Sequence, residues 1–320
     1  MSSLVLDDLS RRYTVVEVPP VAIAAYAEGN TGIPYVWSFE AEAPGPHVVV
    51  CAIMHGNEIA GAAVLDRLLR EGVRPAHGRL TLIFGNPEAY ARFDPARPYE
   101  NRFVDIDMNR IWGAERLDPA RNEYEIRRAR ELFPVIDSAD ALLDIHTMQG
   151  QGPAVALVNG TRNALPLAAK LKAVGFVLYG KMPDSDRLRI RDLPHFMGDS
   201  DGPLALQIEA GQHWSRQAVE VADRITRQFL DVYGILPAPR NAAPGARQKT
   251  LEVVQTVFSR TGRFTYAQDF HSGHYFPTAG TLIGHDEDGE IVTPQDGCYL
   301  IMPVHFRRPG GSVGRFARPA

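Results

Sequence analysis

The run "HVVVCAI" (47–53) constrains this chain more than any other stretch. A mostly apolar, largely β-branched run of that length reads as a strand buried on both faces, since a half-buried strand would alternate with polar residues. Such a strand needs covering layers above and below, and the sequence supplies helices to make them. "NEIAGAAVLDRLLREG" (57–72) carries helical spacing and stops at Gly72, a C-terminal cap. "RLTLIFG" (79–85) reads as the next strand, and "PARNEYEIRRARELF" (119–133) as a charged surface helix with Pro119 near its start. "ADALLDIH" (139–146) is a strand, "NALPLAAKLKAVG" (163–175) a helix and "PLALQIEAG" (203–211) a strand. "SRQAVEVADRITRQFLDVYG" (215–234) closes the series as a long amphipathic helix. This alternation predicts an α/β fold, a sheet covered by helices on both faces.

The pattern then changes. "PAPRNAAPGARQ" (237–248) is rich in Pro, Ala and Gly and reads as a linker. Beyond it, "LEVVQTVF", "TLIGHDEDGEIVTP" and "DGCYLIMPV" are short β patterns, with "DEDGE" as a hairpin turn. The expected organisation is a main domain over 1–236, a linker over 237–248 and a small all-β domain over 249–320.

Composition narrows the function classes. With 320 residues, 45% of them hydrophobic, the chain can bury a large core, and its net charge of −4 with no basic run gives no electrostatic case for nucleic acid. The longest strongly apolar run, "VVVCAIM", falls far short of the roughly 20 residues that span a bilayer. The start, "MSSLVLDDLS", lacks the basic and apolar regions of a secretory signal. Cys51 and Cys298 are the only cysteines, too few for a disulfide framework or a thiolate metal cage. A soluble, cytoplasmic protein that acts on a small molecule is expected, with no membrane or nucleic-acid partner; a homo-oligomer is neither required nor excluded.

In open α/β sheets ligands sit beyond the carboxyl ends of the strands. Reactive side chains gather at such ends here: His55 and Glu58 after "VVVCAIM", His146 at the end of "ALLDIH" and Glu209 at the end of "LALQIE". Two imidazoles and one carboxylate are a zinc ligand set with an open fourth position. On a turn entering a helix, His55 and Glu58 lie on one face, so both could reach one ion while His146 supplies the third ligand. Each has a blander reading: H-x-x-E occurs by chance, and His146 could be a core histidine bonded to Asp144. Glu209 is harder to dismiss, because a carboxylate ending an apolar strand is costly unless partnered or functional. The segment "NPEAYARFDPARPYENRFVDIDMNRIW" (86–112) is too long and charged for ordinary filler. It is either a solvated excursion held by Asp–Arg pairs or a clamp for a substrate carboxylate.

Taken in order, "HGNE", "NP", "RFVDIDMNR", "DIHT" and "IEAG" resemble the succinylglutamate desuccinylase/aspartoacylase family, of the zinc-carboxypeptidase-like clan. The resemblance implies one zinc ion per chain on His55, Glu58 and His146, with Glu209 as general base and acid. It also implies that Arg102 polarises the scissile carbonyl and that Asn109 and Arg110 hold a substrate carboxylate. Zinc would polarise an amide carbonyl and acidify a water, and Glu209 would carry the proton to the leaving nitrogen. The implied activity is deacylation of a small N-acyl amino acid or related amide. Two alternatives stay open: a metallocarboxypeptidase acting on short peptides, and a catalytically silent ligand-binding relative.

The aspartoacylase branch carries a basic residue ten positions before its catalytic glutamate. The ungapped count lands here on Asp199, which argues against N-acetylaspartate; "DRLRIRDL" (186–193) offers Arg187, Arg189 or Arg191 instead. Tyr275 in "HSGHYF" is a candidate to close over the substrate. His213 is a candidate accessory contact, and the His271/His274 pair reads as a surface loop.

Overall fold

The structure is a computed structural model that describes residues 13–180, 188–236, 247–259, 262–287, 289–305 and 310–320. Its first part runs β1 (Val36–Glu40), β2 (His47–Ala52), α1 (Ala60–Arg70), β3 (Arg79–Phe84), α2 (Pro87–Ala91), α3 (Tyr124–Ile136), β4 (Ala141–Met148), β5 (Val155–Leu157), α4 (Leu165–Lys170), β6 (Phe176–Tyr179), β7 (Leu204–Gln212) and α5 (Arg216–Val232). Its second part is all β: β8 (Lys249–Phe258), β9 (Thr265–Tyr266), β10 (His274–Phe276), β11 (Leu282–Asp286), β12 (Gly289–Val292), β13 (Cys298–Ile301) and β14 (Ser312–Pro319).

Residues 47–52 of the opening run form β2, buried along its whole length. It sits between β3 and β4, parallel to both, and β4 is in turn parallel to β7. Strand alternation divides its side chains between two cores. Val48, Val50 and Ala52 pack with Leu65 and Leu68 of α1 and Ile225 and Phe229 of α5. Val49 and Cys51 pack on the opposite face with Ile126, Ala129 and Leu132 of α3. The sheet is mixed because β1 and β5 run against their neighbours β3 and β7.

One 11-stranded sheet, in the order β1-β3-β2-β4-β7-β5-β6-β8-β14-β13-β10, runs through both parts of the chain. The join is β6 pairing in parallel with β8. The C-terminal strands carry a hydrophobic cluster of their own, including Phe264, Phe270 and Phe316. β11 and β12, which flank the "DEDGE" stretch, pair antiparallel; Asp288 within it lies outside the described residues. Of the expected linker, residues 237–246 lie outside the described residues.

Element boundaries differ from the sequence expectation where side chains intervene. α1 begins only at Ala60, because residues 55–59 form the turn that carries two site residues. α3 begins at Tyr124, well after Pro119, where the Asp105 carboxylate accepts the Tyr124 N–H. α4 stops at Lys170, as Leu171 turns out of the helical region to lead toward β6. No helix among the described residues is long and apolar enough to cross a membrane.

Candidate active site

Immediately after β2 the chain turns sharply. Ile53 has φ = 53°, a left-handed conformation that a β-branched residue rarely adopts. Gly56 follows, and a Cβ there would stand 2.3 Å from the backbone of Ala89, so α2 leaves room for glycine alone. This turn brings His55 and Glu58 together over the sheet, with His55 Nδ1 2.8 Å from Glu58 Oε1. His146, from the end of β4, meets the other oxygen: its Nδ1 lies 3.0 Å from Glu58 Oε2. The Thr147 backbone N–H also donates to Oε2. All three side chains are buried.

The far nitrogen of each ring meets a second carboxylate. His146 Nε2 lies 2.7 Å from Asp144 Oδ2, and His55 Nε2 lies 3.0 Å from Asp107 Oδ1. Arg102 Nη2 is also 3.0 Å from His55 Nε2, but arginine has only donors, so Nε2 cannot serve both groups. The Asp107 carboxylate can only accept, and the guanidinium already donates to Glu58 Oε1, so the Nε2–H is assigned to Asp107. A ring with a carboxylate at each nitrogen requires either an imidazolium donating twice or a cation at Nδ1. For His146, burial opposes the charge, but Asp144 and Glu58 outweigh it and raise its pKa well above the ordinary value. One ligand atom from each of His55, Glu58 and His146 falls within 4.8 Å of the others. This nitrogen and oxygen donor set, with a carboxylate fixing each ring from behind, fits zinc.

Glu209 stands beside this cluster. It is the register partner of His146 on the neighbouring parallel strand β7, and Gln207 is likewise the partner of Asp144. Gln207 Nε2 donates to Glu209 Oε1 at 2.9 Å. Burial, reinforced by the Glu58 charge, pushes Glu209 up to about 7. Burial acts on Glu58 in the same direction, but His55, His146 and Arg102 overcome it and hold that carboxylate well below its ordinary range. Two carboxylates pushed apart in this way mark different chemical roles.

The long segment 86–112 divides in two. Between Glu88 and Glu100 it carries exposed ion pairs, Arg92–Glu88 and Arg97 with Asp94 and Glu100. From Arg102 onward it folds into the site. The buried Glu125 carboxylate of α3 accepts the backbone N–H groups of Val104, Asp105 and Ile106 and the Asn86 amide. Asp107 then caps the short helix Met108–Arg110 through the Asn109 N–H while its Oδ1 also reaches His55. Arg102 Nη1 donates to Glu58 Oε1 at 2.7 Å.

These groups open into a cavity of about 480 Å³ lined by His55, Glu58, Arg102, Asn109, Arg110 and Glu209, among others. Buried Arg189 and Arg191 and, from β14, Arg315 line it as well. Burial and the neighbouring charges of Arg110, Arg191 and Arg315, against Asp192, push Arg189 down to about 9. Arg315 escaped the sequence reading: it lies in "SVGRFARP", outside the β patterns read from sequence and with no motif around it. Arg187 lies outside the described residues. Asp199 is exposed and outside the cavity lining. His213 does line the cavity, bonded to Thr147 Oγ1 at 2.7 Å. Tyr275 is not brought to it: it is 51% exposed on β10 and its ring packs on Tyr299. His271 is exposed, with its ring 5.3 Å from that of His274.

Residues 44–232, more than half of the chain, match the family model of the succinylglutamate desuccinylase/aspartoacylase catalytic domain. The chain belongs to the succinylglutamate desuccinylase/aspartoacylase family. Among curated members of this family's neighbourhood, it is 35% identical over 141 residues to a probable aspartoacylase of Parasynechococcus marenigrum, covering 41% of this chain and 44% of that protein. It is 31% identical over 139 residues to an N-acyl-aromatic-L-amino acid amidohydrolase (carboxylate-forming) of Xenopus laevis, covering 40% and 43%. The matched stretch thus spans less than half the length of either relative. The fold also resembles the crystal structure of succinylglutamate desuccinylase from Vibrio cholerae, with a TM-score of 0.67 at 17% identity, covering 90% of this chain and 86% of that one.

Proposed function

We propose that this chain is a zinc-dependent amidohydrolase that removes the acyl group from a small, anionic N-acyl amino acid. The observation that carries the reading is the buried meeting of His55, Glu58 and His146, with Glu209 in register beside them and pushed up to about 7. The three would hold the zinc, which when bound supplies a Lewis acid for the amide carbonyl and an acidified water. Asp144 and Asp107 fix the two rings from behind. Glu209 takes the proton of the attacking water and returns it to the departing nitrogen; a carboxyl poised near neutral pH suits both transfers. Arg102 stabilises the charge that develops on the carbonyl oxygen. Asn109 and Arg110 grip the substrate carboxylate, as a guanidinium fork suits a planar carboxylate.

The arginines of the cavity support an anionic substrate. The charges of Arg110, Arg191 and Arg315 lie close enough to Arg189 to lower its affinity for a proton, and a substrate carboxylate beside it relieves that repulsion. Tyr275 stands outside the cavity lining and has no role in this reading.

The reading is tested on zinc-loaded protein with N-acetyl and N-succinyl derivatives of aspartate, glutamate, phenylalanine and leucine, and with a dipeptide set. Faster cleavage of the acyl amino acids than of the dipeptides, greatest for the acidic ones, is expected. Preference for dipeptides points to the carboxypeptidase alternative, and no turnover of any amide overturns the enzymatic reading.

A further inference from the structure

Residues 144 and 146 on β4 and residues 207 and 209 on β7 form two matched pairs on one face of the sheet. In the first, Asp144 holds His146 by its far nitrogen. In the second, Gln207 holds Glu209 by Oε1. Gln207 is itself held: Arg191, 1% exposed, donates through Nη1 to Gln207 Oε1.

This chain of contacts has only one polarity. An amide can be turned end for end without changing its shape, so its orientation must come from its partners. A guanidinium has no acceptor, so the amide oxygen must face Arg191 and the amide NH₂ must face Glu209. Glu209 Oε1 therefore always meets a donor and has to remain an acceptor. A proton on Oε1 would leave Gln207 only a weak hydroxyl lone pair in place of a full carboxyl acceptor inside a buried site, so the proton is favoured on Oε2.

We infer that Arg191, acting through Gln207, reserves Oε2 of Glu209 for proton transfer. The inference rests on the proposed role of Glu209 as proton carrier. The O–H bond of the attacking water breaks and its proton forms a new O–H bond at Oε2. That bond then breaks as the proton passes to the departing nitrogen, and Oε1 keeps its bond from Gln207 throughout. Arg191 and Gln207 are positioning residues: neither needs to touch the substrate's scissile bond. The glutamine two residues before the glutamate is what adapts this chain to the arrangement, because a leucine or glycine in "LQIE" could not join Arg191 to Glu209.

The test is kinetic, on zinc-loaded protein and the amide from the panel above with the highest kcat/KM. Gln207→Met keeps the length of the side chain and removes both hydrogen bonds. Its kcat is expected to fall about tenfold or more, the scale of a lost hydrogen bond to a charged group, with KM and zinc content within about twofold of wild type. In a Glu209→Gln background the same substitution should change kcat less than about twofold, because the oriented carboxylate is already gone. A merely structural role would lower kcat by the same factor in both backgrounds, and that result overturns the inference while leaving Glu209 as the base. If Glu209→Gln has wild-type kcat, the proposed function of Glu209 and this inference fall together. Should Gln207→Met not fold, Gln207→Glu retains an acceptor for Arg191 but sets an oxygen against Oε1. A kcat at least about tenfold lower supports the inference, and a wild-type kcat overturns it.

Discussion

His146 and Glu209 are direct register partners across the parallel strands β4 and β7. Neighbouring parallel strands lie about 4.8 Å apart, so the ladder itself fixes the distance between the two side-chain roots. A ring that faces Glu58 and a carboxyl pushed up to about 7 are thereby held side by side without any loop between them. Sites mounted on strands in this way are positioned more tightly than sites on loops.

The first prediction concerns metal. Purified protein should contain about one zinc per chain by elemental analysis, and His55→Ala, Glu58→Ala and His146→Ala should each lose it. Asp144→Asn should keep a weaker site, with zinc affinity lowered roughly 10–100-fold in a chelator competition. Full zinc retention by all three alanine variants would remove the proposed ligand set.

The second concerns Glu209 and pH. Its folded value of about 7 lies above the ordinary 4.5, so between those values the folded state holds a proton that the unfolded chain has released. Stability from this group is therefore fully present below about pH 4.5 and declines as pH rises toward 7. The loss is on the order of 3 kcal/mol, at about 1.4 kcal/mol per pH unit. Denaturation of metal-stripped wild type and Glu209→Gln at several pH values isolates it, since glutamine cannot titrate. Parallel stability curves for the two proteins would show that Glu209 titrates normally. In zinc-loaded enzyme, Glu209→Gln should keep its metal and lose about 10²-fold or more in kcat.

The third separates the two arginines of "RFVDIDMNR". A carboxylate bound by Arg110 is present in ground and transition states alike, so Arg110→Ala should mainly raise KM, by about 2–5 kcal/mol of binding. Arg110→Lys should rescue it poorly, because an ammonium cannot reproduce the fork. Arg102 would face a charge that exists only in the transition state, so Arg102→Ala should lower kcat by about 10²–10³-fold with a nearly constant KM. Steady-state kinetics in which neither variant departs from wild type would leave this segment without a catalytic part.

The fourth concerns Glu125, which lies outside the cavity lining yet ties the segment down. Replacing its buried carboxylate by Ala strands the N–H groups of Val104, Asp105 and Ile106 and the Asn86 amide. A cost of about 1–3 kcal/mol or more is expected from the stranded donors, read as a lowered denaturation midpoint. Faster amide hydrogen exchange should centre on residues 104–106, whose N–H groups this carboxylate accepts. An unchanged midpoint would mean that other contacts hold the segment.

The sequence by itself determined the central strands and the layers around them. Apolar continuity in "HVVVCAI" is a consequence of burial on both faces, so the parallel core was legible wherever such runs occur. The same logic made Glu209 conspicuous, since a carboxylate at the end of an apolar strand stands out against its neighbours. His55 and Glu58 were close in the chain and could be paired by spacing alone. Short strands such as β5 and β6 left too few residues to display a period, and β14 is interrupted by Arg315 and Arg318. What only the tertiary structure decided is which distant residues share one cavity. The arrival of Arg315 beside Arg189, the exclusion of Tyr275 and the polarity of Arg191–Gln207–Glu209 all depend on strand order, and sequence periodicity reports the face a residue takes but never its neighbour across the ladder.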